Sequence, residues 1–172
     1  MNYHELIYQR ESIRNYDPEK LVESEKLGKI LNAGRVAPSA ANRQPWRFYL
    51  ISSSESLKKI RTCYHRSWFS DAPHVLVVAG RRNEAWVRSF DGYNSIETDL
   101  TIAMDHIILA AEAEGVGTCW IAAFDPEKLH QTGLFDPDEV IFAITPLGYP
   151  REGFKKSGIK NRKTFTEVVK YL

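Results

Sequence analysis

The segment from residue 98 to 114 constrains the rest of this chain more than any other. Leu100, Ala103, Ile107 and Ala110 recur at helical spacing and form one stripe. Ile102, Ile108, Leu109, Ala111 and Ala113 then nearly complete the circle. A helix that is apolar almost all round has to be packed on several sides, within its own domain or against a partner subunit. Gly115 is its expected C-terminal stop. A chain of 172 residues has the length of one domain and buries about 70% of its surface on folding, enough to house such a helix without staples.

The other elements alternate around it. Residues 3–9 are compatible with a helix. Residues 23–35 place Leu27, Ile30, Leu31 and Ala33 near one helical face, with Gly34 as the expected stop. Residues 37–45 (APSAANRQP) are small and polar between prolines and read as a loop. Strands are expected at 46–52, at 74–79, at 118–122 and at 139–147. Ser54 is the expected cap of a short helix to about residue 62, and Asp125-Pro126 opens another as N-cap and first helical residue. The order predicts one α+β domain with helices against a small sheet.

Charge is unevenly spread. Residues 151–170 carry Arg151, Lys155, Lys156, Lys160, Arg162, Lys163 and Lys170 against Glu152 and Glu167, so an overall charge of +1 hides a tail of +5 on a body of −4. Such a segment is either a solvated tail or a set of cations that holds a phosphate. The small net charge predicts no recruitment of nucleic acid or membrane. No apolar run reaches the length of a membrane span, and the opening MNYHELIYQR lacks the apolar stretch of a signal peptide. Cys63 and Cys119 cannot form a disulfide scaffold, so a reducing cytoplasm is expected.

Several chemistries lack their signatures. There is no glycine-rich dinucleotide fingerprint, no P-loop and no nucleophile elbow. The five histidines are scattered, so no metal site is expected. His106 reads as a hydrogen-bonded, partly buried residue. No side chain stands out as a catalytic acid, base or nucleophile, so an enzyme of this sequence would take its chemistry from a cofactor.

Arg10, Ser12 and Arg14 alternate in a segment that leaves a helix. In extended backbone they share one side, where two guanidiniums and a hydroxyl suit a phosphate and a carbonyl oxygen, or else form a helix-end salt-bridge cluster. Arg10-Glu-Ser12-Ile-Arg14-Asn-Tyr16 is followed by Ala37-Pro38-Ser39-Ala-Ala-Asn42-Arg-Gln44-Pro45-Trp46. Then come Gly115-Val-Gly117-Thr-Cys-Trp120-Ile121, Gly148-Tyr149-Pro150 and Lys160-Asn-Arg162. In this order and at these spacings the chain resembles the FMN-dependent nitroreductase family, from residue 3 to about 168.

The resemblance implies a nitroreductase-like α+β fold, with a small, mostly antiparallel sheet flanked by helices in a homodimer, and one FMN-binding domain over residues 1–172. It implies that Arg10 and Ser12 contact the FMN phosphate or ribityl chain and that Arg14 reaches the pyrimidine end. Lys160 and Arg162 close on the phosphate, whereas Lys155, Lys156 and Lys163 are expected to be solvated. Pro38, Ser39, Ala40, Asn42 and Gln44 belong to the loop that reaches the flavin from the other subunit. Trp120, Ile121, Ala122 and Ala123 match the strand end facing the reactive edge of the ring. Some family members have a glutamate in that stretch; here the residue is Ala122.

The expected activity is hydride transfer from NADH or NADPH through FMN to a nitroaromatic, quinone or similar planar acceptor. The acceptor site is expected among Tyr64, Trp68, Phe69, Trp86, Phe90 and Tyr93, although core packing explains most of these aromatics. The alternatives are a specialised branch of the fold, such as reductive dehalogenation or flavin breakdown, and a non-catalytic protein that binds FMN or, through its basic tail, nucleic acid.

Overall fold

The computed structural model describes residues 2–172. Helices α1 (Tyr3–Gln9) and α2 (Ser24–Arg35) precede strand β1 (Trp46–Ile51). Helices α3 (Ser54–Ile60) and α4 (Ser67–Ser70) lead to β2 (His74–Gly80), and α5 (Ile96–Ala113) follows. Strand β3 (Gly117–Thr118), helix α6 (Pro126–Gln131), strand β4 (Val140–Gly148) and helix α7 (Phe165–Val168) complete the chain. The strands form one sheet in the order β1-β2-β4-β3, with every neighbouring pair antiparallel.

The pleat of β2 sorts the core into two layers, because successive side chains point to opposite faces. Leu76 and Val78 pack with Leu27 and Ile30 of α2 and with Leu100, Ala103, Met104 and Ile107 of α5. Val75, Val77 and Ala79 pack on the other face with Leu57 and Ile60 of α3 and Leu129 of α6. β2 is therefore buried along its whole length, which is why it reads as an uninterrupted apolar run. α5 lies against α2 and the sheet, but Ile102, Leu109 and Ala110 on its outer side are only half-buried.

Several boundaries differ from the sequence reading. Gly34 does not stop α2, which runs to Arg35. It is buried where α2 crosses α5, and a Cβ there would stand 2.6 Å from Ile107 Cδ1 and 3.0 Å from Phe48 Cζ. Ser53, not Ser54, caps α3 by accepting from the Ser56 amide. The expected strand at 118–122 is reduced to Gly117–Thr118 plus a bridge between Ile121 and Ile144. Gly115 does end α5, in the left-handed conformation at φ +73°, and Asp125 caps α6 by accepting from the Lys128 amide with Pro126 in the first turn. No described helix is long and apolar enough to cross a membrane.

Candidate functional site

The chain leaves α1 at Arg10 in extended backbone. It runs beside β3, where Ser12 bridges Thr118 in parallel and the Ile13 amide donates to the Thr118 carbonyl at 2.7 Å. Ile13 and Tyr16 point into the core and are essentially fully buried. The alternation then aims Arg10, Ser12 and Arg14 outward together. All three line a cleft of about 210 Å³ whose far wall is Ile159, Lys160 and Arg162 from the tail. Residues 10–14 and 159–162 are thus brought together as the motif reading expected.

Charge in this cleft is unbalanced. Burial and the repulsion of Arg10 and Arg162 push the Lys160 ammonium below its usual range. Its Nζ donates to the Arg10 carbonyl at 2.5 Å. The Arg14 guanidinium lies 6.0 Å from the centroid of the Trp68 ring. Cys119 sits under the same cations. Burial raises its thiol pKa, against the pull of Arg14, Ser12 and Arg10. Four cations and a hydroxyl around one small opening suit an anion with several acceptor oxygens.

The tail corrects one expectation. Lys156 is not a solvated cation, because its Nζ binds the Glu112 carboxylate, which is almost wholly buried, and donates to the Gln9 carbonyl at 3.2 Å. Glu11, which the sequence reading passed over, takes hydrogen bonds from the tail at Ser157 and Gly158.

From the cleft the chain continues through Trp120 to Ala123. Ile121 is buried and Trp120 half-buried against Phe142, with ring centroids 5.9 Å apart, while Ala122 and Ala123 are exposed.

The loop at 37–45 is elsewhere. It contains one 3₁₀ turn, Ala40–Asn42, and three non-glycine residues in the left-handed region, with Ala41 at φ +49°, Asn42 at +53° and Gln44 at +51°. Such backbone needs a surrounding structure that enforces it. Here Asp99, 1% exposed, accepts from the Ala40 amide at 2.8 Å and from the Ser95 hydroxyl at 2.8 Å. Ser39 Oγ accepts from the Gln44 amide at 2.9 Å, and Gln44 Nε2 donates to Asn42 Oδ1 at 3.1 Å. Pro38, Asn42 and Gln44 remain exposed.

Two rulers separate this loop from the cleft. The loop enters β1 at Trp46, opposite Gly80, whereas Ser12 lies beyond the other edge of the sheet, level with Leu147 and His74. Four strand spacings across and six residues along give a diagonal on the order of 25 Å. Asp99 and Glu112 mark the same two places on α5 and are about 20 Å apart at helical rise. Within one chain, Pro38, Ser39, Ala40, Asn42 and Gln44 do not line the cleft.

The expected aromatic set divides in the same way. Tyr64, Trp68 and Phe69 cluster edge to face, and Trp68 also meets Tyr16. Phe69 is core. Trp86, Phe90 and Tyr93 belong to a turn over residues 81–95 that joins the loop corner, where the Arg81 amide donates to the Pro45 carbonyl at 3.1 Å. Phe90 is 96% exposed at its tip. The six residues do not form one surface in this chain.

The family model described as "Nitroreductase family" matches residues 7–67 and 60–149. The chain belongs to the nitroreductase family. It is accordingly an oxidoreductase. A protein of Archaeoglobus fulgidus, assigned by name to the NADH dehydrogenase/NAD(P)H nitroreductases, is 31% identical over 152 residues, covering 86% of this chain and 84% of its own. A nitroreductase family protein of Clostridium difficile 630 has the same fold with a TM-score of 0.90 and 33% identity, over 99% of this chain and 98% of its own. A nitroreductase of Bacteroides fragilis, solved with bound FMN, shares the fold at a TM-score of 0.74 with 22% identity.

Proposed function

We propose that the chain is one FMN-binding domain of a homodimer that oxidises NADH or NADPH and reduces a nitroaromatic, quinone or similar planar acceptor. The observation that carries this reading is the cleft of Arg10, Ser12, Arg14, Lys160 and Arg162 in a nitroreductase-family chain. The relatives' names and the FMN-bound neighbour supply the nucleotide and the cofactor. The residues fit FMN. Their donors match a terminal phosphate, and the four cations of the cleft outnumber its one carboxylate, Glu11.

In this reading Arg10, Ser12, Lys160 and Arg162 hold the phosphate, and Arg14 places positive charge at the pyrimidine edge, where negative charge would collect. The stretch from Trp120 to Ala123 offers backbone groups to the ring edge. Bound FMN would supply the two-electron chemistry, taking a hydride from NAD(P)H and passing it to the acceptor. The loop with Pro38, Ser39, Ala40, Asn42 and Gln44 comes from the second copy. That assignment is supported by its separation from the cleft in its own chain. The exposed area of 10,256 Å², against about 8,600 Å² for a compact monomer of this size, also supports a partner. α1 contributes no buried residue, and Phe165, Val168, Tyr171 and Leu172 of the tail are exposed. Two buried thiols, Cys63 and Cys119, fit a reducing cytoplasm.

The test is reconstitution. The purified protein should bind FMN in preference to riboflavin, bleach anaerobically with NADH or NADPH, and recover its yellow colour with an acceptor in ping-pong kinetics. Retention of FAD alone, or no flavin at all, contradicts the reading.

A further inference from the structure

We propose that Glu11 is a positioning residue that latches the tail across the anion cleft and so delivers Lys160 and Arg162 to it. This rests on the reading of the cleft as a phosphate site. Glu11 lines the same cleft as Arg10 and Lys160, and a carboxylate at that place should weaken an anion site by repulsion. Its contacts explain why it is tolerated. Oε2 accepts from the Ser157 amide at 3.0 Å and Oε1 from the Gly158 amide at 2.6 Å. The Ser157 hydroxyl donates to both oxygens, at 3.2 and 3.1 Å. Gly158 has φ +69°, and that turn lets two successive amides converge on one carboxylate as an anion nest.

The latch lies within a longer strap. Lys156 binds the Gln9 carbonyl and Glu112, Ser157 and Gly158 bind Glu11, and Lys160 binds the Arg10 carbonyl. Three successive residues, 9 to 11, thus hold residues 156 to 160. Without such a clamp the tail would be driven off, because Lys160 and Arg162 arrive beside Arg10 and Arg14. The bonds also keep the carboxylate ionised and satisfied. Burial opposes ionisation of Glu11, but the amides of Gly158 and Ser157 and the nearby Lys156 outweigh it and hold the pKa below the usual value.

The two possible roles of Glu11 differ in sign. As a latch, its loss releases Lys160 and Arg162 and weakens phosphate binding. As a bystander anion, its loss removes repulsion and tightens it. The protein freed of flavin should be titrated with FMN and with riboflavin, for the wild type, Glu11→Ala and Ser157→Pro, which removes two of the donors from the tail side. FMN affinity should fall about tenfold in both variants, the scale of one charge-assisted hydrogen bond, while riboflavin affinity stays within twofold. Trypsin should cut after Lys160 or Arg162 several times faster in both. In the double variant Glu11→Ala/Arg162→Ala, the Arg162 change should cost less FMN affinity than it does alone. Unchanged or tighter FMN binding by Glu11→Ala, with the wild type preferring FMN to riboflavin, overturns the latch. A wild type that binds the two flavins equally overturns the phosphate reading instead, and the tryptic rates then still report whether Glu11 holds the tail.

Discussion

The two corners of the sheet are built by opposite means. At the cleft, function-bearing side chains are carried on extended segments, and their placement depends on hydrogen bonds between residues 9–11 and 156–160. At the loop, the backbone itself is held in an uncommon conformation at Ala41, Asn42 and Gln44, enforced by one buried carboxylate, Asp99. Charges can be gathered by a strap held on a few hydrogen bonds. A strained turn keeps its shape only if it is clamped throughout. The cleft should therefore respond to salt, to phosphate and to tail substitutions, whereas the loop should respond to the integrity of the fold beneath it.

The largest expected effect lies at the loop. Asp99→Ala removes the acceptor of the Ala40 amide and the Ser95 hydroxyl, both taken out of water. It should destabilise the fold by about 3 kcal/mol, the cost of leaving such donors unmet, as read by urea unfolding. FMN and riboflavin binding should fall together, because the loop is expected at the ring rather than the phosphate. A stability loss under about 0.5 kcal/mol would show that the strained loop is held by something other than Asp99.

At the cleft the expected effects are smaller and selective. Arg10→Ala and Arg162→Ala should each weaken FMN binding by about 1.5 to 3 kcal/mol, with little change in unfolding and a smaller loss toward riboflavin. Equal losses for the two flavins would remove the contrast between the corners.

Acid should act weakly, through the end of the sheet nearer the cleft. His74 is buried; its Nε2 accepts from the Val22 amide at 3.3 Å, and Nδ1 pairs with Ser52 Oγ at 2.7 Å. Burial lowers its pKa, so the unfolded chain takes up this proton first. Stability from the neutral ring is complete above the unfolded value of about 6.5 and is lost as pH falls toward the folded value, by at most about 1.4 kcal/mol per pH unit. His74→Gln should flatten that part of the pH profile of unfolding. A profile identical to the wild type would assign the acid sensitivity to other groups.

The smallest expected effects concern the two side chains that a search for acid–base chemistry would choose. His106→Gln and Cys119→Ala should keep anaerobic hydride transfer within about tenfold, since loss of a general acid costs about a hundredfold or more. A thousandfold loss in either, with FMN still bound, would mean that this side chain takes part in the proton chemistry.

What was legible in the sequence follows from how local each signal is. α5, β2, β4 and the Asp125-Pro126 start of α6 are written in the spacing of their own residues. The alternation of Arg10, Ser12 and Arg14 was also readable, because it depends only on extended backbone. Lys156 and Glu11 were not, since their partners lie 44 to 147 residues away; the nearest local signal was Ser157-Gly158, a turn dipeptide in a basic tail. Asp99 carried a fainter sign, a carboxylate one residue before Leu100 at the start of an apolar helix. Gly34 misled because a glycine near a helix end reads as a stop, whereas here it makes room for Ile107. The left-handed backbone at Ala41, Asn42 and Gln44 has no signal in residue type for Ala41 and Gln44, and only Asn42 is a residue that takes it readily.

The central claim is that the two distant corners meet as one site across two chains, and complementation tests it most directly. One variant is made defective at the cleft, Arg10→Ala with Arg14→Ala, and the other at the loop, Ser39→Glu with Asn42→Asp. Each alone should bind FMN poorly. In a heterodimer one site collects both defects and the other collects neither, so half of the FMN binding per dimer, roughly one site of two, should return with wild-type affinity. Verified heterodimers that regain none would show that cleft and loop do not share a site, and the account would be wrong.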